Sequence, residues 1–156
     1  MSIHLHFRAV AETEIRNDHA WLAAFMSAAW DRHADERQAG VSASFDKVFG
    51  LVDEFYSAAD ADGRELPGYG GRPVASGTGF DPPLMLMCAP EVSRAARFLA
   101  AVSFDDLWRA VSPRFRALGP DEESNREEFR RYHVGLWAFY AQAASAGHSV
   151  VKAVWA

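Results

Sequence analysis

Hydrophobic and polar positions along this chain switch between two periods, and the switches mark out its elements. Residues 3–10 alternate, with Ile3, Leu5 and Phe7 on one side and His4, His6 and Arg8 on the other. That period of two predicts a half-buried strand. Residues 148–155 (His-Ser-Val-Val-Lys-Ala-Val-Trp) read as a second, Val-rich strand. Between them the period lengthens. Leu22, Phe25, Met26, Ala29, Trp30 and His33 recur at spacings of three and four behind Asp18, a suitable helix cap, in a stripe that runs to about Gly40. Ser44 reads as the cap of a further helix, with Phe45, Val48, Phe49, Val52, Phe55, Tyr56 and Ala59 on its apolar face.

Residues 61–83 break the periodicity. Six Gly and four Pro fall in this window around Gly68-Tyr-Gly-Gly71, which predicts a long surface loop of the functional or mobile kind. Leu84-Met-Leu-Met87 is short enough for a buried inner strand, and Pro90 suits the first turn of a helix through Val92, Ala95, Ala96, Leu99 and Val102. Ser103 with Asp106 starts another helix, which Pro113 ends or kinks. The last helix, 121–146, carries Phe129, Tyr132, His133, Leu136, Trp137 and Tyr140 in phase and stops at Gly147. The pattern predicts an α+β fold: one domain over residues 1–156, with a small mixed sheet that includes both terminal strands, packed against several helices.

Composition narrows the function classes. The formal net charge is −5, whereas binding to nucleic acid needs a basic face. Fourteen of the sixteen basic residues are Arg, but they are scattered along several helices. Cys88 is the single cysteine, which excludes an internal disulfide and a cysteine-based metal cluster. Neither a signal-peptide pattern nor an apolar run of membrane-spanning length is present, so a cytoplasmic protein without a membrane partner is expected.

The order of elements resembles the YfbM-like bacterial proteins, a family of unknown function, nearly end to end. Met1-Ser-Ile-His-Leu-His-Phe7 resembles the family's apolar first strand, Asp46-Lys-Val-Phe49 its Asp-Lys-x-Trp segment, and Leu86-Met-Cys-Ala-Pro-Glu-Val92 its strand-to-helix step. The stretch Leu136 to Gly147, followed by the terminal strand, is the piece most similar to it. Phe49 stands where the family has Trp, and Asp53 where its helix often has His. The resemblance implies a single α+β domain and brings no reaction with it.

Candidate chemistry is sparse. His4 and His6 could turn both imidazoles toward one ion, yet zinc wants three or four ligands and Arg8 shares their face. The alternative is a polar strand face or one covered by the glycine-rich loop. Cys88 follows an apolar run, where a free thiol usually behaves as a small buried hydrophobe. Gly68-Tyr-Gly-Gly-Arg72 could offer backbone N–H groups and a guanidinium to an anion, but its order fits neither a Walker loop nor a dinucleotide fingerprint. Tyr69 is the loop residue best able to supply contact area together with a hydrogen bond. His133, on an apolar stripe, reads as a hydrogen-bonded core histidine. Lys47 reads as a solvated lysine or the rim of a pocket. Trp155 either pins the terminal strand or joins an exposed patch.

Two functions follow as expectations. The first is a non-enzymatic domain that binds another protein, with residues 61–83 and the neighbouring acidic surface as contact region and a basic partner such as a toxin or nuclease as one possibility. The second is a small-ligand binder or enzyme with a pocket between sheet and loop, built from His4, His6, Lys47, Tyr69 and Arg72. No cofactor, metal set or catalytic group is identified by either.

Overall fold

Local signals set the element boundaries. In the computed structural model, which describes residues 3–46, 49–75, 82–119 and 121–156, strand β1 (His4–Val10) is followed by helix α1 (His19–Asp31). Asp18 accepts a hydrogen bond from the Trp21 amide and caps α1. A break at Arg32 separates it from α2 (His33–Gln38), and strand β2 (Ser42–Phe45) and helix α3 (Phe49–Ser57) follow. Strands β3 (Arg72–Pro73) and β4 (Leu84–Met87) lead into α4 (Ala89–Ala101). Ser103 caps α5 (Phe104–Val111) through the Asp106 amide. The chain then tightens into a 3-10 segment, Ser112–Leu118, in which Pro113 falls. Helix α6 (Glu122–Ser145), capped by Asp121, ends before Gly147, whose φ of 68° reverses the chain into strand β5 (Ser149–Trp155).

The five strands form one sheet in the order β2-β1-β5-β4-β3, with every pairing antiparallel. Both terminal strands therefore lie side by side at its centre, with His4 opposite Trp155 and Val10 opposite Ser149. Helices cover both faces. Leu5, Phe7, Ala9 and Val150 face the larger core, built with α3, α4, α5 and α6. Val10, Val151, Ala153 and Leu84 face a smaller one completed by Leu22 and Met26 of α1. The α+β architecture with both end strands in one sheet is the one the pattern predicts, but β1 is not half-buried: His6 is fully covered by α1.

Two helical readings give way. Residues 42–45 are the edge strand β2, not the start of a helix. Ala43 and Phe45 turn to the large core as alternate residues of a strand do, which mimics the first step of a helical stripe. Trp137 is 46% exposed. The buried arc of α6 runs from Phe139 and Ala143 through Leu136, Phe129 and Tyr140 to His133, and Trp137, four residues on from His133, lies about 40° past that edge.

Candidate functional site

Lys152 organises the glycine-rich segment. It stands on β5 directly opposite Phe7, among apolar residues and with no exposed surface. Its ammonium donates to the carbonyl oxygens of Leu66 (2.7 Å), Gly68 (2.5 Å) and Gly70 (2.6 Å). The Phe7 ring centroid lies 5.2 Å from Nζ. Burial pushes the amine well below the usual lysine range, while Asp53 and Glu91 act in the opposite direction. Three acceptors for three N–H donors match the charged form: a neutral amine would set its lone pair against one of the carbonyls. The Tyr140 hydroxyl adds a bond to the Pro67 carbonyl (3.1 Å).

This arrangement explains the glycines. A Cβ on Gly68 would come within 2.6 Å of Asp53 Oδ1, and one on Gly70 would collide with the Glu65 carbonyl and Leu66 Cα. The segment wraps tightly enough to aim its carbonyls inward, so it presents the wrong end of the peptide group for cradling an anion. Gly70→Ala is expected to cost about 1–3 kcal/mol, in the range of overpacking, and to open a protease-sensitive site within residues 63–71. Unchanged melting and unchanged proteolysis would show that the segment adapts.

The residues proposed from sequence are distributed rather than gathered. His4 and His6 do come together, each about 5 Å from the Trp30 ring of α1, which covers them in place of the glycine-rich loop. His6 Nε2 lies 3.2 Å from Ser42 Oγ, and Trp155 Nε1 lies 3.4 Å from His6 Nδ1. An indole nitrogen only donates, which leaves Nδ1 as acceptor and puts the imidazole proton on Nε2, toward Ser42. Burial, then the charges of His33, Arg8 and Arg37, lower the pKa of His6 to about 4. Both ring nitrogens are thus committed to neighbours. Trp155 pins the terminal strand, the first of its two readings.

Tyr69 sits on the opposite side of the sheet, edge-on to Phe49, with its amide 3.3 Å from Asp53 Oδ1. Arg72 reaches Asn17 Oδ1 (3.0 Å) beside the start of α1 and lines a cavity there with Asp18 and Val74. Lys47 lies outside the described residues. His133 is the hydrogen-bonded core histidine expected, with Nδ1 at 3.0 Å from the Tyr56 hydroxyl. Cys88 is exposed, not buried. The strand ends at Met87, and Cys88 turns outward as the N-cap of α4. Its thiol donates to Glu91 Oε1 (3.0 Å), and that bond raises its pKa, away from a thiolate nucleophile.

A groove that no sequence motif marked runs between β2 and α6. It encloses about 570 Å³ and is lined by β2 together with Arg37, Arg131, Tyr132, Phe139 and Gln142. Strand β2 ends the sheet order, so among the described residues one of its edges has no strand beside it. The Ala9 amide donates to the Val41 carbonyl. With Leu5 opposite Phe45 and Phe7 opposite Ala43 in register, the alternation of an antiparallel ladder turns the backbone groups of Ser42 and Ser44 away from β1; Ser44 is half-buried there and Ser42 is buried. The Phe45 ring meets Tyr132 edge-on at 5.2 Å to form its floor. Tyr132 Oη donates to Glu128 Oε1 (2.6 Å).

A family model described as a domain of unknown function, DUF1877, matches residues 1–152. The chain belongs to this family. Among solved structures, this DUF1877 member is similar to YfbM from Escherichia coli, a protein of unknown function. The two share 13% identity and a TM-score of 0.63, over 97% of this chain and 99% of YfbM. At that identity the likeness establishes the fold. No curated protein matches this DUF1877 member. Among its described residues, no helix is long and apolar enough to cross a membrane.

Proposed function

We propose that this DUF1877 domain is a protein-binding module, and that the groove between β2 and α6 takes an extended segment of its partner as an added strand. The observation that carries the reading is the outward-facing backbone of half-buried Ser44, beside a groove with a partly apolar floor. Ser42, also turned outward, is only 4% exposed, so an added strand would have to displace what covers it. An extended peptide gains affinity from main-chain hydrogen bonds to such an edge and selectivity from the pockets beside it. Native sheets guard an edge with proline, a bulge, an inward-pointing charge, cover or mere shortness. Ser42-Ala-Ser-Phe45 has none of the first three, and its protection is its four-residue length and the cover over Ser42. The glycine-rich segment is the weaker candidate contact because its carbonyls turn inward to Lys152.

Ser44→Pro tests the reading. Proline removes the Ser44 amide, which faces the groove and not β1, and edge positions of this kind tolerate proline. Peptides selected from a displayed random library are expected to perturb the amide resonances of residues 42–45 and 132–142. Their affinity is expected to fall at least tenfold, about 1.4 kcal/mol, in Ser44→Pro, with melting nearly unchanged. Selected peptides that map to another face, or bind Ser44→Pro equally well, would remove the edge from the reading.

A further inference from the structure

Two arginines flank the open edge of β2 in a chain whose net charge is −5. Arg37, on α2, donates to Ser44 Oγ (2.6 Å). Ser44 is paired with His6 and so shares the sheet face that α1 and α2 cover. Arg131 projects from α6, which lies over the opposite face with Phe45 and Tyr132. Both side chains are exposed. The groove also holds the Glu128 carboxylate, which accepts from the Tyr132 hydroxyl, and Asp46 lies close enough to act on Tyr132. The two guanidinium groups are therefore not a uniformly positive surface but two separate cationic points, one on each side of the sheet edge.

Resting on the edge-strand reading, we infer that the segment bound there is acidic and carries two adjacent carboxylates. Successive side chains of a strand point to opposite faces. An added strand at β2 sends residue i toward the α2 face, where Arg37 stands, and residue i+1 toward α6, where Arg131 stands. Consecutive acidic residues therefore meet one arginine each. Acids two apart share a face and leave one arginine without a carboxylate. Guanidinium groups favour this role because they take carboxylates in charge-assisted, bidentate bonds.

The probe is a synthetic peptide, Val-Thr-Val-Asp-Glu-Val-Thr-Val, titrated into the full chain by fluorescence anisotropy beside versions with Asn-Gln and Lys-Lys at the centre. The acidic peptide is expected to bind at least tenfold more tightly than the Asn-Gln peptide. That advantage should shrink with added salt and vanish in Arg37→Gln/Arg131→Gln. These substitutions alter exposed side chains, so the double variant is expected to fold, and its binding of the Asn-Gln peptide serves as the control. Equal affinity for the acidic and Asn-Gln peptides, both lost in Ser44→Pro, would overturn the charge inference and leave the edge-strand reading standing. Binding of none of the three at millimolar concentration would overturn both. A homodimer that Ser44→Pro dissolves would assign the edge to a second copy and likewise overturn the inference.

Discussion

Replacing Lys152 by Met is expected to destabilise the domain by about 3–5 kcal/mol, the usual consequence of stripping a buried charged group from its partners. Met keeps an unbranched apolar stem against Phe7, so the loss isolates the ammonium. Without it the carbonyls of Gly68 and Gly70 lose their Lys152 donor, while the Leu66 carbonyl retains a long bond from Tyr140 (3.3 Å). An unsatisfied buried acceptor costs about 1–3 kcal/mol, so two of them account for most of the expected effect. For a chain of this size the melting temperature should fall by about 10–15 °C, and residues 63–71 should become the first site of proteolysis. A Lys152→Met protein that melts like the parent and resists protease would show that the three short contacts contribute little.

Acid is expected to destabilise the domain through His6, by about 3 kcal/mol at 1.36 kcal/mol per pKa unit, given a folded pKa of about 4 against 6.5 unfolded. Between those values the unfolded chain holds more protons than the folded one, so stability rises with pH across the window. The stabilisation is complete above about pH 6.5 and is lost as the pH falls toward 4. The physical cause is specific. Protonation would place a hydrogen on Nδ1, against the Trp155 indole N–H, and a charge in a site that already faces Arg8, Arg37 and His33. His133, also lowered by burial, acts in the same direction. Urea unfolding at a series of pH values, for the parent and for His6→Gln, measures the difference. Equal slopes for the two proteins between pH 6.5 and 4 would remove His6 as the sensor.

The sequence made some of this legible and hid the rest for identifiable reasons. Caps at Asp18, Ser103 and Asp121 and the stop at Gly147 are local devices, so their residues announced them. Both end strands were readable, as was their membership of one sheet. Strand β2 is hidden because Ser42-Ala-Ser-Phe45 leads, four residues after Phe45, into a true helical stripe at Phe49, and a shared apolar residue fits either period. Its alternation just after Gly40 was the available signal. In sequence Lys152 reads as one more residue of a Val-rich strand, although a lone charge between Val151 and Ala153 is the pattern of a buried pin. The groove depends on Arg37, residues 42–45 and Arg131 meeting across nearly a hundred positions, and no local pattern carries that information. His4 and His6 were correctly placed on one face, but α1 and Trp155, the elements that commit His6, come from elsewhere in the chain.

The central place of β5 also dictates how this chain must assemble. Strands β1 and β2 form one ribbon, β3 and β4 another, and β5 is the strand that joins them. Two-stranded ribbons are marginal in water on their own. Of the five strands, β1 comes first along the chain and β5 last, so neither ribbon gains its third strand until Ser149–Trp155 is available to pair. Until then both ribbons hold unpaired edges, and the sheet waits on a contact between segments far apart in sequence.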